Sequence, residues 1–211
     1  MPLFDTFKAR AEAVSAEVHR CATKAEALDF ILAFLRQEPG AAVWANGPLL
    51  DDADRLRLSE QAPGLAFEVT RENAAAAHCG ISQMDWAIAD TGTLVQNAAA
   101  PEQRLASMLP AIHIALAPTA GLQPDMASVL ARLHPNQSSY ISMITGPSRT
   151  ADIERVLTIG VHGPGRLVIV FVDELVGQDS SPAAGVHAGL RAAGPGGPAQ
   201  TWGAAPQRRE T

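Results

Sequence analysis

The chain has 211 residues, a formal net charge of −6 and 47% hydrophobic residues, which fits one soluble globular domain with a sizeable core. Its apolar runs are shorter than the roughly 20 residues of a transmembrane helix, and its start lacks the basic and apolar regions of a signal peptide, so a cytoplasmic location is expected. The acidic balance disfavours binding to nucleic acid or to anionic membranes.

The beginning of the chain predicts N-terminal helices within residues 4–36. The segment from Phe4 to Arg20 reads as a first helix. Thr23 and Glu26 have the spacing of a capping box, in which the Thr hydroxyl accepts from the Glu amide and the Glu side chain reaches back. The second helix should run through Arg36, because its apolar residues recur at helical spacing and would bury one face.

The middle of the chain alternates predicted strands and helices. The apolar runs typical of strands are Ala42–Ala45, Leu65–Val69, Trp86–Ala89, Ala111–Leu116, Tyr140–Ile144 and Leu167–Val172. The predicted helices are Asp52–Glu60, Glu72–Ala77, Glu102–Leu109, Asp125–Leu133 and Ala151–Leu157. Several runs are apolar at consecutive positions, as in strands covered on both faces. This alternation predicts an α/β fold with a mostly parallel sheet sandwiched by helices.

The end of the chain differs in composition from the rest. Gly, Ala and Pro supply 19 of the 35 residues from Gly177 to Thr211, and such a segment has too little apolar surface to offset its ordering entropy. The sequence therefore predicts a single domain over residues 1–176 and a flexible tail over 177–211.

The tetrapeptide Asp90-Thr91-Gly92-Thr93 follows a predicted strand. In open α/β sheets ligands bind beyond the carboxyl ends of strands, so loops after strands are the informative ones. Gly92 permits a positive φ and a close backbone approach, and the hydroxyls of Thr91 and Thr93 can surround a carboxylate or phosphate. Asp90 is a candidate general base. The same residues also suit an ordinary hairpin turn, and the sequence leaves that alternative open.

The segment Thr145–Glu154 also follows a predicted strand and is expected to open a helix. Ser148 or Thr150 would be the N-cap of that helix. Arg149, between these hydroxyls at a helix N-terminus, suits bidentate capture of a carboxylate or phosphate. Ser148, Arg149 and Thr150 are therefore predicted ligand-binding residues.

The loop Gly160–Pro164 contributes His162 and Gly163. A histidine can act as acid, base or ligand near neutral pH, so His162 is paired with Asp90 as the candidate catalytic residues, and Gly163 joins the ligand-binding set. A purely structural hydrogen bond is the alternative role for His162. The sequence contains no CxxC, HExxH, GxSxG or GxGxxG motif, so no metal site is predicted and no cofactor is encoded by a clear motif.

Together these motifs resemble the lactate utilization protein C family, the LUD domain. The segments that carry the resemblance are Asp85–Val95, Leu109–Ile114, Thr145–Glu154 and Gly160–Pro164. They occur in the family's order within residues 80–172. The family's first motif usually begins with Glu, whereas this chain has Asp90, which keeps the charge on a side chain one methylene shorter.

The resemblance implies a three-layer Rossmann-like sandwich, similar to the superfamily of glucosamine-phosphate isomerase, ribose-phosphate isomerase and the CoA transferases. It also implies an accessory subunit in the bacterial oxidation of L-lactate to pyruvate. The implied partners are an iron–sulfur protein with its own LUD domain and a second lactate-utilization subunit, and the expected ligand is a small organic acid or a phosphate-containing molecule. A stand-alone sugar-phosphate isomerase, a CoA-transferase-like enzyme and a non-catalytic interaction module are alternatives, because a fold does not fix a function.

Overall fold

A computed structural model of the chain describes residues 2–133, 139–151, 157–159 and 162–174. Its helices are α1 (Pro2–Ala13), α2 (Lys24–Gln37), α3 (Asp52–Gln61), α4 (Arg71–Ala76), α5 (Pro101–Met108) and α6 (Met126–Leu130). Its strands are β1 (Glu17–Cys21), β2 (Ala42–Trp44), β3 (Leu65–Ala66), β4 (Cys79–Gln83), β5 (Trp86–Ile88), β6 (Thr93–Asn97), β7 (Ile112–Pro118), β8 (Leu122–Gln123), β9 (Ile141–Ile144), β10 (Arg149–Ala151), β11 (Leu157–Ile159) and β12 (Arg166–Val172). The predicted tail at 177–211 and the predicted domain boundary at residue 176 lie outside the described residues.

The main sheet has six strands in the order β1-β12-β7-β4-β2-β3. Every neighbouring pair in it is parallel. The central strands β7 and β12 are almost entirely buried, as expected for strands that are covered on both faces. This confirms the predicted α/β class and its parallel sheet.

The helices cover the main sheet on both sides and make three layers. On one face α2 and α3 pack against alternate residues of β7 and β12, such as Ile114 and Val170. On the other face α1 packs against the intervening residues, including Ile169 and Phe171, while α4 and α5 cover β2. The result is the expected three-layer Rossmann-like sandwich.

Two of the predicted strands belong to a second, smaller sheet. This sheet has the order β8-β5-β6-β9, and β6 pairs antiparallel with both β5 and β9. Its inner face joins the core beneath α1 through Ala87 and Leu94. The sequence predicts that the loops after β5 and β9 lie at the carboxyl edge of the parallel sheet. The structure places them on the smaller sheet instead, so this prediction is wrong.

The predicted helix from Phe4 to Arg20 is wrong in its second half. The helix ends at Ala13, Ser15 adopts a positive φ of 71°, and residues 17–21 form β1 beside β12. Burial of Val18 and Cys21 in that pairing outweighs the local preference for helix. The second helix is confirmed, with Thr23 as its N-cap accepting from the amide of Glu26.

The predicted helix from Ala151 to Leu157 is also wrong at both of its described ends. Residues 149–151 and 157–159 form the antiparallel pair of β10 and β11, and residues 152–156 lie outside the described part of the chain. The β-branched residues Thr150, Thr158 and Ile159 favour strand. Ser148 and Thr150 consequently do not cap a helix here.

One buried strand escaped sequence analysis altogether. Strand β4 lies between β2 and β7, yet its sequence Cys-Gly-Ile-Ser-Gln has few large apolar residues. Gly80 is required there, because a Cβ at this position would lie 1.9 Å from the carbonyl oxygen of Ala106 in α5. Throughout the described part of the chain, no helix combines the length and apolar character needed to cross a bilayer.

An ion-pair network ties the edge strand β1 to the core. The guanidinium of Arg166 contacts the carboxylate of Glu17, with a second contact of 2.9 Å from Nη2 to Oε2, and its Nη1 lies 2.6 Å from Glu38 Oε1. The same group stands 5.0 Å above the ring of Phe34. Hydrogen bonding to Arg166 holds the pKa of Glu17 below its usual value.

We expect Arg166→Met to lower the free energy of unfolding by about 1–2 kcal/mol. The effect is modest because solvent screens the charges of these half-exposed groups. Urea denaturation followed by circular dichroism would measure the change. The matched control is Arg57→Met, which removes a single exposed pair with Asp29 and should have a much smaller effect. Equal losses in the two variants would show that the network around Arg166 adds nothing to an ordinary surface pair.

Candidate functional site

Two of the predicted loops converge on the end of α1. Gly92 has φ +67°, and a Cβ there would lie 2.5 Å from the backbone nitrogen of Ala11. Gly146 has φ +70°, and a Cβ there would lie 2.6 Å from the carbonyl oxygen of Val14. Glycine is needed at both places for conformation and for space. The two loops are therefore held beside each other against one helix terminus.

A chain of hydroxyl groups links these loops. Thr91 Oγ1 donates to Thr93 Oγ1 at 2.8 Å, and Thr93 Oγ1 lies 2.8 Å from Thr145 Oγ1. Thr93 is buried and Thr91 is exposed. The antiparallel pairing of β5 with β6 shows that the first loop is also a hairpin turn. The structural and functional interpretations of this loop are thus compatible.

The third predicted loop packs against the second. The amide of Ser148 donates to the carbonyl oxygen of Pro164 at 2.8 Å. A Cβ on Gly163 would lie 3.0 Å from Ser148 Cβ, so the two backbones approach closely. The three sequence motifs, far apart along the chain, form one contiguous surface.

A pocket of about 360 Å³ opens where the second and third loops meet. Its described lining residues are Ser107, Met108, His113, Met143, Ile144, Thr145, Gly146, Pro147, Ser148, Arg149, His162, Gly163, Pro164 and Leu167. His113 and Leu167 are the second residues of β7 and β12 and face each other across the pairing of these strands. The pocket therefore lies at the amino ends of the parallel strands, opposite to the edge where ligands usually bind in such sheets.

Arg149 lines this pocket and also holds the end of α1. Its Nη2 donates to the carbonyl oxygen of Val14 at 2.7 Å and to Ser15 Oγ at 2.9 Å. A guanidinium has five N–H donors, and these contacts use the two on Nη2. The cation also complements the partial negative charge at the carbonyl end of the helix. Arg149 thus has a structural role in addition to its place in the pocket wall.

The remaining predicted residues differ in their placement. His162 is exposed and lines the pocket with Gly163. Asp90 is exposed, its amide donates to the carbonyl oxygen of Pro124 at 3.2 Å, and it is not among the residues that line the pocket. Thr150 pairs with Thr158 in the antiparallel pair of β10 and β11. Thr91 and Thr93 connect to the pocket through Thr145, which forms part of its wall.

Sequence analysis did not single out His113 as a site residue. The side chain is 1% exposed, and its Nε2 lies 2.9 Å from the hydroxyl of Ser82 on the neighbouring strand β4. Burial lowers its pKa to about 4, so the imidazole is neutral at physiological pH. The sequence does contain one signal for this residue. His113 is a polar residue within an apolar run that is buried on both faces, and a buried polar group needs a hydrogen-bond partner.

The described pocket wall contains an arginine and two histidines but no Asp or Glu. This contrasts with the net charge of −6 of the whole chain. Elsewhere in the described ranges, no group of three or more His, Cys, Asp or Glu side chains is placed to hold a metal ion. Among the residues that the structure describes, the wall places no carboxylate where it would repel a negatively charged group.

Comparison with known proteins gives the family. The family model of the LUD domain matches residues 4–172. The chain belongs to the LUD domain family. The matched residues run from α1 to the end of β12, so they include the main sheet, the smaller sheet and the three loops of the candidate site.

Curated relatives of this LUD domain carry the name lactate utilization protein C. The protein from Exiguobacterium sp. is 39% identical over 114 residues, which are 51% of this chain and 50% of the relative. The protein from Halalkalibacterium halodurans is 38% identical over 109 residues, with 49% and 47% covered. The chain spans about half the length of these relatives. The protein from Bacillus licheniformis is 31% identical over 158 residues, with 64% and 66% covered.

A solved structure shares the fold of this LUD domain. It is the crystal structure of a DUF162 family protein from Deinococcus radiodurans, with a TM-score of 0.57 and 18% sequence identity. The match covers 81% of this chain and 96% of that chain. It supports the three-layer sandwich and carries no statement about ligands.

Proposed function

We propose that this LUD domain protein is an accessory subunit of a bacterial lactate-utilization system that oxidises L-lactate to pyruvate. The names of its curated relatives support the pathway. In the proposal the pocket beside α1 binds a small organic acid or a phosphate-containing ligand. The protein would work with an iron–sulfur LUD-domain protein and a second lactate-utilization subunit, as the family resemblance implies.

The charge of the pocket wall is the observation that carries the proposed ligand class. Arg149 supplies a fixed positive charge and Ser148 an adjacent hydroxyl, and no described wall residue carries a carboxylate. An arginine with N–H groups beyond those bound to the α1 terminus can engage two oxygens of one anion. A carboxylate or phosphate at this place meets both charge and hydrogen-bond complementarity.

The proposal assigns proton transfer to this chain and electron transfer to its partners. His162 lines the pocket and is the group suited to take or give a proton at a bound hydroxyl or carbonyl oxygen. Asp90 begins the loop whose threonines connect to the pocket wall, and the proposal makes it the second proton-transfer group. Oxidation of lactate to pyruvate releases two electrons and two protons, one from the hydroxyl and one from the second carbon. The electrons would pass to the iron–sulfur partner, and the protons to His162 and to solvent.

We expect Arg149→Leu to weaken the binding of L-lactate, pyruvate and inorganic phosphate by about tenfold or more, because the fixed charge is lost. Ligand titration of the ¹⁵N-labelled full chain by NMR would give the affinities. Arg132→Leu is the matched control, since Arg132 is exposed and lies outside the pocket wall. Arg149→Lys keeps the charge and should bind with an intermediate affinity.

Three results would contradict the proposed anion site. One is the same affinity in the wild type and in Arg149→Leu, with both proteins folded by circular dichroism. Another is no binding of any of the three anions to the wild type. A loss of binding in Arg132→Leu as large as in Arg149→Leu would also contradict it, because the effect would then depend on overall charge.

A further inference from the structure

The imidazole of His113 forms part of the pocket floor, and the proposed function gives it no role. The residue is only 1% exposed, and it is among those that line the pocket. The hydroxyl of Ser82 lies 2.9 Å from Nε2 and fixes the orientation of the ring. Because Nε2 is engaged by Ser82, Nδ1 is the ring nitrogen that remains to bind a ligand.

The floor and the rim of the pocket differ in charge. The imidazole of His113 is neutral at physiological pH because burial lowers its pKa to about 4. Helix α5 ends at Met108 in the pocket wall, and the carbonyl end of a helix carries a partial negative charge that disfavours an anion. Arg149 stands at the exposed rim. The pocket thus presents positive charge at its mouth and an uncharged hydrogen-bonding group in its depth.

The pocket floor also contains apolar surface. Leu167 is paired with His113 across β7 and β12, and the pocket wall also includes Ile144 and the exposed Met108. This surface can hold the carbon skeleton of a ligand between the two polar ends. The volume of about 360 Å³ also leaves room for acids longer than lactate.

We propose that His113, oriented by Ser82, binds an uncharged oxygen of the ligand while the acidic group of the ligand lies at Arg149. This inference rests on the proposed function, because it takes the acid site at Arg149 as given. It narrows the ligand class to acids that carry a hydroxyl or carbonyl oxygen in addition to the acidic group. The neutral imidazole donates to a carbonyl oxygen when Nδ1 is protonated and accepts from a hydroxyl when it is not.

Three acids of nearly equal size test this selectivity. L-lactate has a hydroxyl and pyruvate a carbonyl on the second carbon, whereas propionate has neither. Titrations of the full chain should show at least one of the first two binding about 3–10-fold more tightly than propionate, the ratio that one hydrogen bond supplies. Pyruvate requires a protonated Nδ1, because its carbonyl oxygen only accepts, whereas lactate can bind either form, because its hydroxyl both donates and accepts.

A paired substitution isolates the contribution of His113. In the double variant Ser82→Ala/His113→Phe both polar partners are replaced together, so no buried hydrogen-bonding group is left without a partner. We expect this variant to bind all three acids with the affinity of propionate. Ser82→Ala alone frees the ring and should reduce the preference partly, which provides a test if the double variant does not fold.

The outcomes separate this inference from the proposed function. Equal affinities for the three acids in the wild type, with loss of all three in Arg149→Leu, would overturn the role of His113 and leave the anion site. A preference that persists unchanged in the Ser82 and His113 variants would overturn it as well. No binding of any acid to the wild type would overturn both proposals.

Discussion

Gly80→Ala is expected to lower the free energy of unfolding by at least about 3 kcal/mol, because the new methyl group has no space. The added Cβ would lie 1.9 Å from the carbonyl oxygen of Ala106 and 2.7 Å from Pro110 Cγ. The first of these is backbone in α5, so the clash is relieved only by moving the helix away from the sheet. Urea denaturation followed by circular dichroism would measure the loss.

The matched control is the same substitution at Gly163. A Cβ there would lie 3.0 Å from Ser148 Cβ and 3.1 Å from its Oγ, and these side-chain atoms can shift by a few tenths of an ångström. Gly163→Ala should therefore be much less destabilising than Gly80→Ala. Similar small losses in both variants would mean that α5 does not pack against β4 as closely as described. Because α5 contributes Ser107 and Met108 to the pocket, Gly80→Ala should also weaken ligand binding.

The buried imidazole of His113 is expected to make the protein sensitive to acid. Its pKa falls from the usual 6.5 to about 4 because burial disfavours the charged form. The unfolded chain binds a proton at this residue below pH 6.5, whereas the folded chain does so only near pH 4. Stability from this group is thus complete above pH 6.5 and declines as the pH falls towards 4, by about 3 kcal/mol in all.

Comparison of the wild type with His113→Gln isolates that contribution from the other titrating groups. The difference in unfolding free energy between the two proteins should shrink as the pH is lowered from 7 to 4, since glutamine binds no proton. Parallel stability profiles over this range would show that His113 does not titrate abnormally. A direct titration of the His113 ring nitrogens by NMR gives the same information if the variant is too unstable to compare.

The elements predicted correctly from sequence are those whose local signals agree with their burial. Helix α2 has a cap at Thr23 and an apolar face at helical spacing, and both survive in the structure. Strand β12 is a run of six apolar residues after Arg166. In each case the apolar residues that predict the element from sequence are the same residues that are buried in the core.

The elements missed from sequence depend on partners far along the chain. Strand β1 reads as a continuation of α1, and only its pairing with β12 makes it a strand. The residues of β4 are smaller and more polar than those expected in a central strand. Their small size allows α5 to approach the strand closely. Long-range pairing and close backbone approach leave weak local signals.

The sequence predicts the three loops of the candidate site, but it does not predict the edge of the sheet at which they meet. The three loops do meet, yet the rule that ligands bind at the carboxyl ends of parallel strands points to the opposite edge of the sheet. That rule was applied to loops after β5 and β9, which belong to the smaller sheet. His113 was missed because a single histidine in an apolar strand gives no spacing pattern, and its link to Ser82 forms only when β4 and β7 lie side by side.

The pairing of β1 with β12 bears on how the protein is made. Glu17 of β1 lies opposite Val168 of β12, so the first of the described strands to leave the ribosome has no neighbour until the last of them has been made. Until then β7 also lacks one of its two flanking strands, and both expose unpaired backbone that other chains can bind. The main sheet is therefore completed only late in translation. Until residue 172 has emerged from the ribosome, the unpaired edges of β1 and β7 remain accessible to chaperones.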